Sequence, residues 1–472
     1  MPLRSTQLMA GGTETIVARA TADGRGALAT IRVSGPHALA IAHALGAPAL
    51  GAPGLVARRA TRCMLRHPET GAALDDALVT AFVGPHSFTG EDCVEFSTHG
   101  GRVVPRLIEA ACVAAGARPA LPGEFTRRAV VNGKLDLVQA EAVADLIDAR
   151  TVAMQQQALA QLDGGLSRRV LALRDAVIAL EAMLAYDIDF PEEDDGPIAP
   201  ARIIAAAEAL LASLEALLAT APRATLLRDG ALVVIAGPPN AGKSSLFNAL
   251  LGTSRALVTP IAGTTRDAID ALLDRAPVPL RLVDTAGLRE TDEPIERLGI
   301  EVSTRYLAEA QLVLACADSP DGVRAVLAAM AEATAAPVIA VHTKRDLQGD
   351  LQGDVPTADT DWCAVSAETG DGLAELLARI DATLAPDGAA TDAIALGDEG
   401  AVMLTRERHQ RALREAADEL RSFLAGWGSG ALPAVVAAVH LQAAREALAG
   451  VVGVIETEDI LDRLFSAFCI GK

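Results

Sequence analysis

Residues 232–244 read Leu232-Val-Val-Ile-Ala-Gly-Pro-Pro-Asn-Ala-Gly-Lys-Ser244. A short apolar run meets the pattern GxxxxGKS and helically spaced apolar residues follow, so the spacing predicts a strand, a phosphate-binding loop and a helix. Glycines let backbone N–H groups turn toward a phosphate, and the helix N-terminus adds a favourable dipole. Lys243 has the reach for β- and γ-phosphate oxygens, and the Ser244 hydroxyl suits Mg²⁺. Asn240, Ala241, Gly242, Lys243, Ser244 and Ser245 are the first candidate nucleotide-binding residues.

Four further motifs follow in order. Gly263-Thr-Thr-Arg-Asp267 stands where a switch loop would bring a threonine to Mg²⁺ in the presence of a γ-phosphate, and Thr265 is the candidate ligand. An apolar run at 280–283 delivers Asp284, Thr285, Ala286 and Gly287; Asp284 would hold Mg²⁺ through water and the Gly287 N–H would contact the γ-phosphate. After a second run at 337–341 comes Thr343-Lys344-Arg345-Asp346, whose final carboxylate can accept from guanine N1–H and its 2-amino group. Ser366, Ala367 and Glu368 follow a short run and would offer backbone N–H to guanine O6. Any one of these is an ordinary turn sequence. Five in sequence imply GTP as substrate. The set resembles the TRAFAC-type small GTPases, with one departure: Thr343 stands where asparagine is usual, so weaker tethering of that loop is expected with guanine preference intact.

In Ras-like GTPases a glutamine after DxxG orients the attacking water. Here that position is Leu288, whose side chain cannot orient water. Glu296 is the candidate for that role, and with Lys243 and Thr265 it makes up the expected catalytic group; a surface-helix Glu is the alternative reading. Asn240 resembles the asparagine of potassium-dependent GTPases, in which K⁺ sits where an arginine finger would. That resemblance implies Thr259, Ile261 and Thr264 as the rest of the K⁺ shell, and Thr259 and Thr264 as nucleotide contacts. A structural loop asparagine is the alternative.

The chain has 472 residues and 51% hydrophobic content, too long for one core and expected to form two to four domains. Residues 1–120 mix β-type runs (15–20, 27–33, 78–83, 93–97) with turns and two Ala-rich helical stretches, an α+β pattern. Helical spacing covers 135–186, 200–220 and 401–468, while 230–385 alternates strands and helices and implies a parallel sheet. The expected layout is an N-terminal domain (1–120), the first part of a helical domain (121–229), an inserted Ras-like α/β domain (230–385) and the second helical part (386–472).

A net charge of −20 and a pI near 4.8 exclude a broad basic surface gripping nucleic acid, so any RNA needs a local patch or a partner. Six scattered cysteines form no CxxC pair. No stretch of eighteen uninterrupted apolar residues and no signal pattern occur, so a cytoplasmic protein without membrane contact is expected. Of 41 basic residues only Lys134, Lys243, Lys344 and Lys472 are lysine. Two lie in nucleotide motifs, which singles out the other two as places needing a compact charge, with chance retention as the alternative.

Segments along the whole chain resemble the tRNA-modifying GTPase family called MnmE or TrmE: Thr15-Ile-Val-Ala18, Gly24-Arg-Gly26, Arg32-Val-Ser-Gly35, Phe88-Thr-Gly-Glu-Asp92, His99-Gly-Gly101, Pro122-Gly-Glu-Phe-Thr-Arg-Arg128, Asn132-Gly-Lys-Leu-Asp-Leu137 and Phe468-Cys-Ile-Gly-Lys472. Phe88 replaces a usual Tyr, and Ser97-Thr98 replace a more common pair before His99. The resemblance implies a homodimer whose N-terminal domain binds a reduced folate, 5-formyl- or methylene-tetrahydrofolate. It also implies an FAD-containing partner of the MnmG (GidA) type in a heterotetramer-like complex, and tRNA bound through that complex. C5 of the wobble uridine would receive a (carboxymethyl)aminomethyl group while GTP hydrolysis drives rearrangement of the G domains. Arg32, Glu95, Lys134 and Lys472 would lie at the folate site, and Cys469 would be a thiol near the one-carbon unit or an incidental one. The rival reading is a ribosome-assembly GTPase switch, which usually appends a basic RNA-binding module not found here.

Overall fold

The computed structural model describes residues 14–51, 54–189, 198–252, 256–257, 269–275, 278–284, 305–347, 362–384, 403–453, 465, 468 and 471. Its contacts define two units: Met1–Ala144, Gln161–Ala207 and Asp418–Lys472 form the first, Asp145–Ala160 and Glu208–Ala417 the second.

In the first unit, β1 (Ile16–Arg19), β2 (Leu28–Ser34), β3 (Thr61–Arg66), β4 (Ala73–Phe82), β5 (Cys93–His99) and β6 (Arg118–Pro119) make a sheet in the order β3-β4-β5-β2-β1-β6. Only the β1–β6 pair is parallel. Alternate residues of the strands face α1 (Ala38–Ala44) and α2 (Val104–Ala114), and Ile31, Val33, Val79, Val94, Phe96, Ile41 and Ile108 close the core between them. Strand β3 was not expected from the sequence. Its Arg62, Met64 and Arg66 are exposed, which dilutes the apolar run a strand reading needs.

Helices α3 (Glu124–Val131), α4 (Leu137–Asp148), α5 (Val152–Leu162) and α6 (Gly165–Asp189) follow. Leu166, Val170, Val177, Leu180 and Leu184 of α6 recur at three-, four- and seven-residue spacing and are buried. A matching stripe, Ala437, Leu441, Ala444, Leu448 and Val451, belongs to the last helix (Ala434–Val452), which packs along α6. Each buried leucine contributes roughly 1.5–3 kcal/mol. The first turn of α3 meets the chain's end: a Cβ on Gly123 would lie 2.9 Å from the Cβ of Phe468, and one on Gly471 would lie 2.1 Å from the Arg19 carbonyl oxygen.

The second unit continues with α7 (Pro200–Leu218) and α8 (Ala221–Asp229), then β7 (Ala231–Ala236), α9 (Lys243–Gly252), β8 (Ala256–Leu257), β9 (Ile269–Leu273), β10 (Leu280–Asp284) and β11 (Leu312–Ala317). Helix α10 (Pro320–Ala333), β12 (Val338–His342), β13 (Trp362–Ala364) and α11 (Leu373–Leu384) complete it, before α12 (Glu407–Gly428) and the Ala434–Val452 helix, α13. The sheet order is β13-β12-β11-β7-β10-β9-β8. Five strands are parallel, as the alternation predicts, but β9 is antiparallel to β10 and β8 to β9. The connection between residues 273 and 280 is too short for a crossover helix, so β10 pairs antiparallel with β9. Chain entry and exit lie side by side: Arg228 donates to the Thr405 carbonyl at 2.7 Å and the Leu404 N–H to the Thr220 hydroxyl at 3.2 Å.

Two helical segments, Pro200–Asp229 and Ala434–Val452, are long and apolar enough by mean hydropathy to cross a membrane. Their apolar residues nonetheless form buried one-sided stripes, Ile203, Ala207, Leu210, Leu214 and Leu217 in α7 and the α13 set above. The continuous helical run expected over 401–468 is interrupted where Gly430 adopts φ 70° and Pro433 precedes α13.

Candidate functional site

Strand β7 lies between β10 and β11 with all six residues buried, so its C-terminal end opens at the middle of the sheet, where α/β sheets place ligands. Gly237 turns the chain there with φ 152°, and a Cβ on it would lie 2.1 Å from the Cys316 carbonyl oxygen of β11. Asn240 and Gly242 take left-handed conformations, φ 61° and 75°. Lys243 is buried, and its ammonium donates to the loop's own Pro238 carbonyl at 2.8 Å. Neighbouring Cys316 is a core thiol pushed up to about 12 by burial, which keeps it unreactive.

Ser244, at the start of α9, donates its hydroxyl to Asp284 Oδ2 at 2.6 Å across to the end of β10. Asp284 is fully buried. A hydroxyl and a carboxylate oxygen converging beside a phosphate loop are the hard donors that Mg²⁺ takes alongside substrate phosphate, so the residues fit that ion. Mg²⁺ would supply charge neutralisation on the phosphate oxygens, while Ser244 and Asp284 hold it. Among the described residues no group of three or more His, Cys, Asp and Glu forms another metal cluster.

The base loop leaves β12. Thr343 donates its hydroxyl to Ala241 O at 2.7 Å, with Ala317 O at 3.1 Å from the same oxygen, and it is buried. Thr343 thus links base loop and phosphate loop directly, with one hydroxyl proton shared between two carbonyls where an amide would bring two. Lys344, at φ 57°, pairs with Asp318 Oδ2 at 3.0 Å. Asp346 is exposed, and Ser366 donates to its Oδ1 at 2.6 Å, fixing the carboxylate. Ser366 is itself held by an N–H bond to Asp371 O at 2.9 Å, and Ala367 and Glu368 follow on the turn. Of the sequence candidates, Asn240, Ala241, Gly242, Lys243, Ser244, Ser245, Asp284, Thr343, Lys344, Asp346, Ser366, Ala367 and Glu368 line the C-terminal ends of β7, β10, β12 and β13. Thr259, Ile261, Thr264, Thr265, Thr285, Ala286, Gly287 and Glu296 lie outside the described residues.

A second cluster sits in the first unit. Arg32 of β2 and Glu95 of β5 are register partners, and Arg32 Nε and Nη2 both donate to Glu95 Oε1, at 2.9 and 2.8 Å. The guanidinium also lies 5.2 Å from the Phe88 ring centroid and 5.7 Å from that of Phe125, cation–π distances. Gly90, at φ 81°, packs toward Lys134, whose Cγ would lie 3.2 Å from an added Cβ. Three of the four residues assigned to folate therefore gather around the 88–90 loop, while Lys472 and Cys469 lie outside the described residues. Arg32 and Glu95, both expected at the folate site, are thus paired with each other. Sequence reading missed the support beneath them: Arg128 bridges Glu91 at 2.9 Å and Glu124 at 3.3 Å, and Ser34 donates to Glu91 at 2.8 Å. The run Glu91, Glu124 and Arg128 within the quoted motifs was the available signal.

A central-strand phosphate loop, a serine–aspartate pair fit for Mg²⁺ and a base loop ending in a fixed aspartate define a P-loop GTP hydrolase. Residues 15–134 match the family model described as GTP-binding protein TrmE N-terminus, and residues 137–469 match that of the MnmE helical domain. The chain is 44% identical over 465 residues to the tRNA modification GTPase MnmE of Methylobacterium sp. (strain 4-46), covering 98% of this chain and 100% of that protein. Against the protein of the same name from Azoarcus sp. (strain BH72) the identity is 43%, over 97% of this chain and 98% of that one. It belongs to the MnmE family of tRNA modification GTPases. Among solved structures, the G domain of the T. maritima FeoB iron transporter is 26% identical and covers 32% of this chain and 98% of that one, at TM-score 0.25. The strand order given above stands without that likeness.

Proposed function

We propose that this chain is the K⁺-stimulated GTPase of a tRNA-modifying complex: a cytoplasmic homodimer that, with an FAD-containing MnmG (GidA)-type partner, modifies C5 of the wobble uridine using a one-carbon unit from a reduced folate. The division into residues 1–120, 121–229, 230–385 and 386–472 belongs to this reading. Thr265 and Glu296 complete the catalytic group with Lys243, and Thr259, Ile261 and Thr264 complete a K⁺ shell with Asn240. Hydrolysis drives rearrangement of the G domains. The acidic balance supports a division of labour in which tRNA is gripped largely by the complex.

The observation that carries the folate part is the aromatic-flanked Arg32–Glu95 pair beside Lys134. A flat pterin edge and a pair of tail carboxylates need a carboxylate acceptor, cations and aromatic faces, and all three residue types meet here. Titration of the full-length protein with 5-formyltetrahydrofolate is expected to show saturable binding, weakened at least tenfold by Arg32→Ala. Equal affinity for the variant with unchanged melting would remove Arg32 from the site.

The K⁺ part is tested by steady-state GTP hydrolysis in K⁺ and Na⁺ at matched ionic strength. Strong stimulation by K⁺ is expected. Asn240 has φ 61°, which by itself gives a conformational reason for asparagine there, so Asn240→Gly separates the two roles. The glycine keeps the backbone freedom and deletes the amide oxygen. Loss of K⁺ stimulation with GTP binding retained is the expected result; a variant still stimulated by K⁺ sinks the ligand role.

A further inference from the structure

The base loop of this chain begins with Thr343, where related GTPases usually have asparagine. Thr343 supplies a single hydroxyl proton to Ala241 O and Ala317 O, and its own N–H donates to Ala317 O at 2.9 Å. Lys344 then adopts the left-handed region at φ 57°, which a long side chain enters only when its surroundings hold it there. Arg345 N–H fastens the next position to Val365 O at 3.2 Å. Lys344 itself is caught at its far end, 3.0 Å from Asp318.

Asp318 is the first residue beyond β11, and the parallel register Ala317↔His342 brings that strand end beside the base loop. It occupies the C-terminal edge of the sheet along with Asp284, Asp346 and the phosphate loop. Lys344 holds the Asp318 carboxyl below the usual carboxylate range, chiefly through their hydrogen bond. The pair is half exposed, so it adds little to folding stability. Its effect falls instead on the lysine stem, four methylenes beside the phosphate loop whose far end the carboxylate fixes.

We propose that Asp318 is a positioning residue for guanine recognition: by anchoring the Lys344 ammonium it fixes the lysine's methylene stem as an apolar wall of the base pocket, and so supplies the hold on the loop that the single Thr343 hydroxyl leaves short. It touches no substrate atom and acts through Lys344. An asparagine in place of Thr343 would make the same anchor partly redundant.

The test is a set of variants of the full-length protein, read by displacement of a fluorescent GDP analogue and by GTP hydrolysis. Asp318→Asn is expected to speed GDP dissociation and raise KM about tenfold, equivalent to about 1.4 kcal/mol, while kcat falls much less. Thermal melting of the nucleotide-free protein should not change. In a Lys344→Met background the same substitution should cost nothing further, because the anchor has lost what it holds. In a Thr343→Asn background the tenfold penalty should shrink to about threefold, and Asp318→Glu should restore part of the affinity. Unchanged GDP release in Asp318→Asn overturns the proposal. So does an equal loss with and without Lys344, or a loss matched by lower melting of the nucleotide-free protein. A penalty that stays tenfold in the Thr343→Asn background removes the compensation for Thr343.

Discussion

Asp346→Asn is expected to cost this GTPase about a hundred- to ten-thousandfold in GTP affinity and to turn its preference toward xanthosine triphosphate. The Ser366 hydroxyl holds one oxygen of the carboxylate at 2.6 Å, so the group is oriented before any base arrives. A carboxylate accepts from both guanine N1–H and the 2-amino group, two charge-assisted bonds of about 1.5–3 kcal/mol each. Asparagine keeps the shape but offers one acceptor and one N–H₂ donor, which opposes the guanine amino group and suits a carbonyl at that position. Competition between GTP and xanthosine triphosphate for a fluorescent nucleotide measures the switch. Retained GTP selectivity in the variant would show that base choice resides elsewhere. Asp318→Asn should weaken both purines together, because a methylene wall does not read the 2-position.

Much of this nucleotide site is legible because its parts are local. GxxxxGKS fixes a loop within eight residues, and the ends of β10, β12 and β13 deliver the later motifs. What stayed hidden depends on pairing across the sheet. Leu312–Ala317 is an apolar run that no motif follows, so β11 and Asp318 went unread; the register Ala317↔His342 alone makes them neighbours of the base loop. Arg32 and Glu95 have the alternating spacing of one sheet face, yet alternation within strands does not say which residues lie opposite. The β2–β5 register sets them face to face, and they neutralise each other. The antiparallel pairing of β9 with β10 likewise follows from a short connection rather than from composition.

The paired state of Arg32 bears on the folate site proposed for the first unit. A guanidinium held by Glu95 and flanked by two rings presents little free charge, so an anionic group gains less from it than from exposed Lys134. Glu95, with both Arg32 nitrogens on Oε1, keeps Oε2 for a donor edge. Rigid support by Arg128 and Glu91 fixes the loop bearing Phe88, which favours recognition of a flat ring over an extended chain.

The largest structural effect is expected at Gly237. An alanine there has two independent costs. Its backbone is in a region, φ 152°, that side chains rarely enter, and its Cβ would lie 2.1 Å from the Cys316 carbonyl oxygen. That oxygen belongs to β11, paired in parallel with β7 through Ala315↔Ala236 and with β12 on its other side. Relief requires moving a central strand by roughly 1 Å or rebuilding the phosphate loop, together about 3 kcal/mol or more. Gly237→Ala should therefore lose measurable GTP binding and show a lower melting transition. Gly252→Ala is the matched control: it ends α9 with open space around an added Cβ, and alanine there should be neutral or stabilise by about 0.4–1 kcal/mol. If Gly237→Ala binds GTP and melts like Gly252→Ala, β11 does not crowd the phosphate loop as described. The loop's placement would then rest on nucleotide contacts rather than on the packed strand ends beneath it.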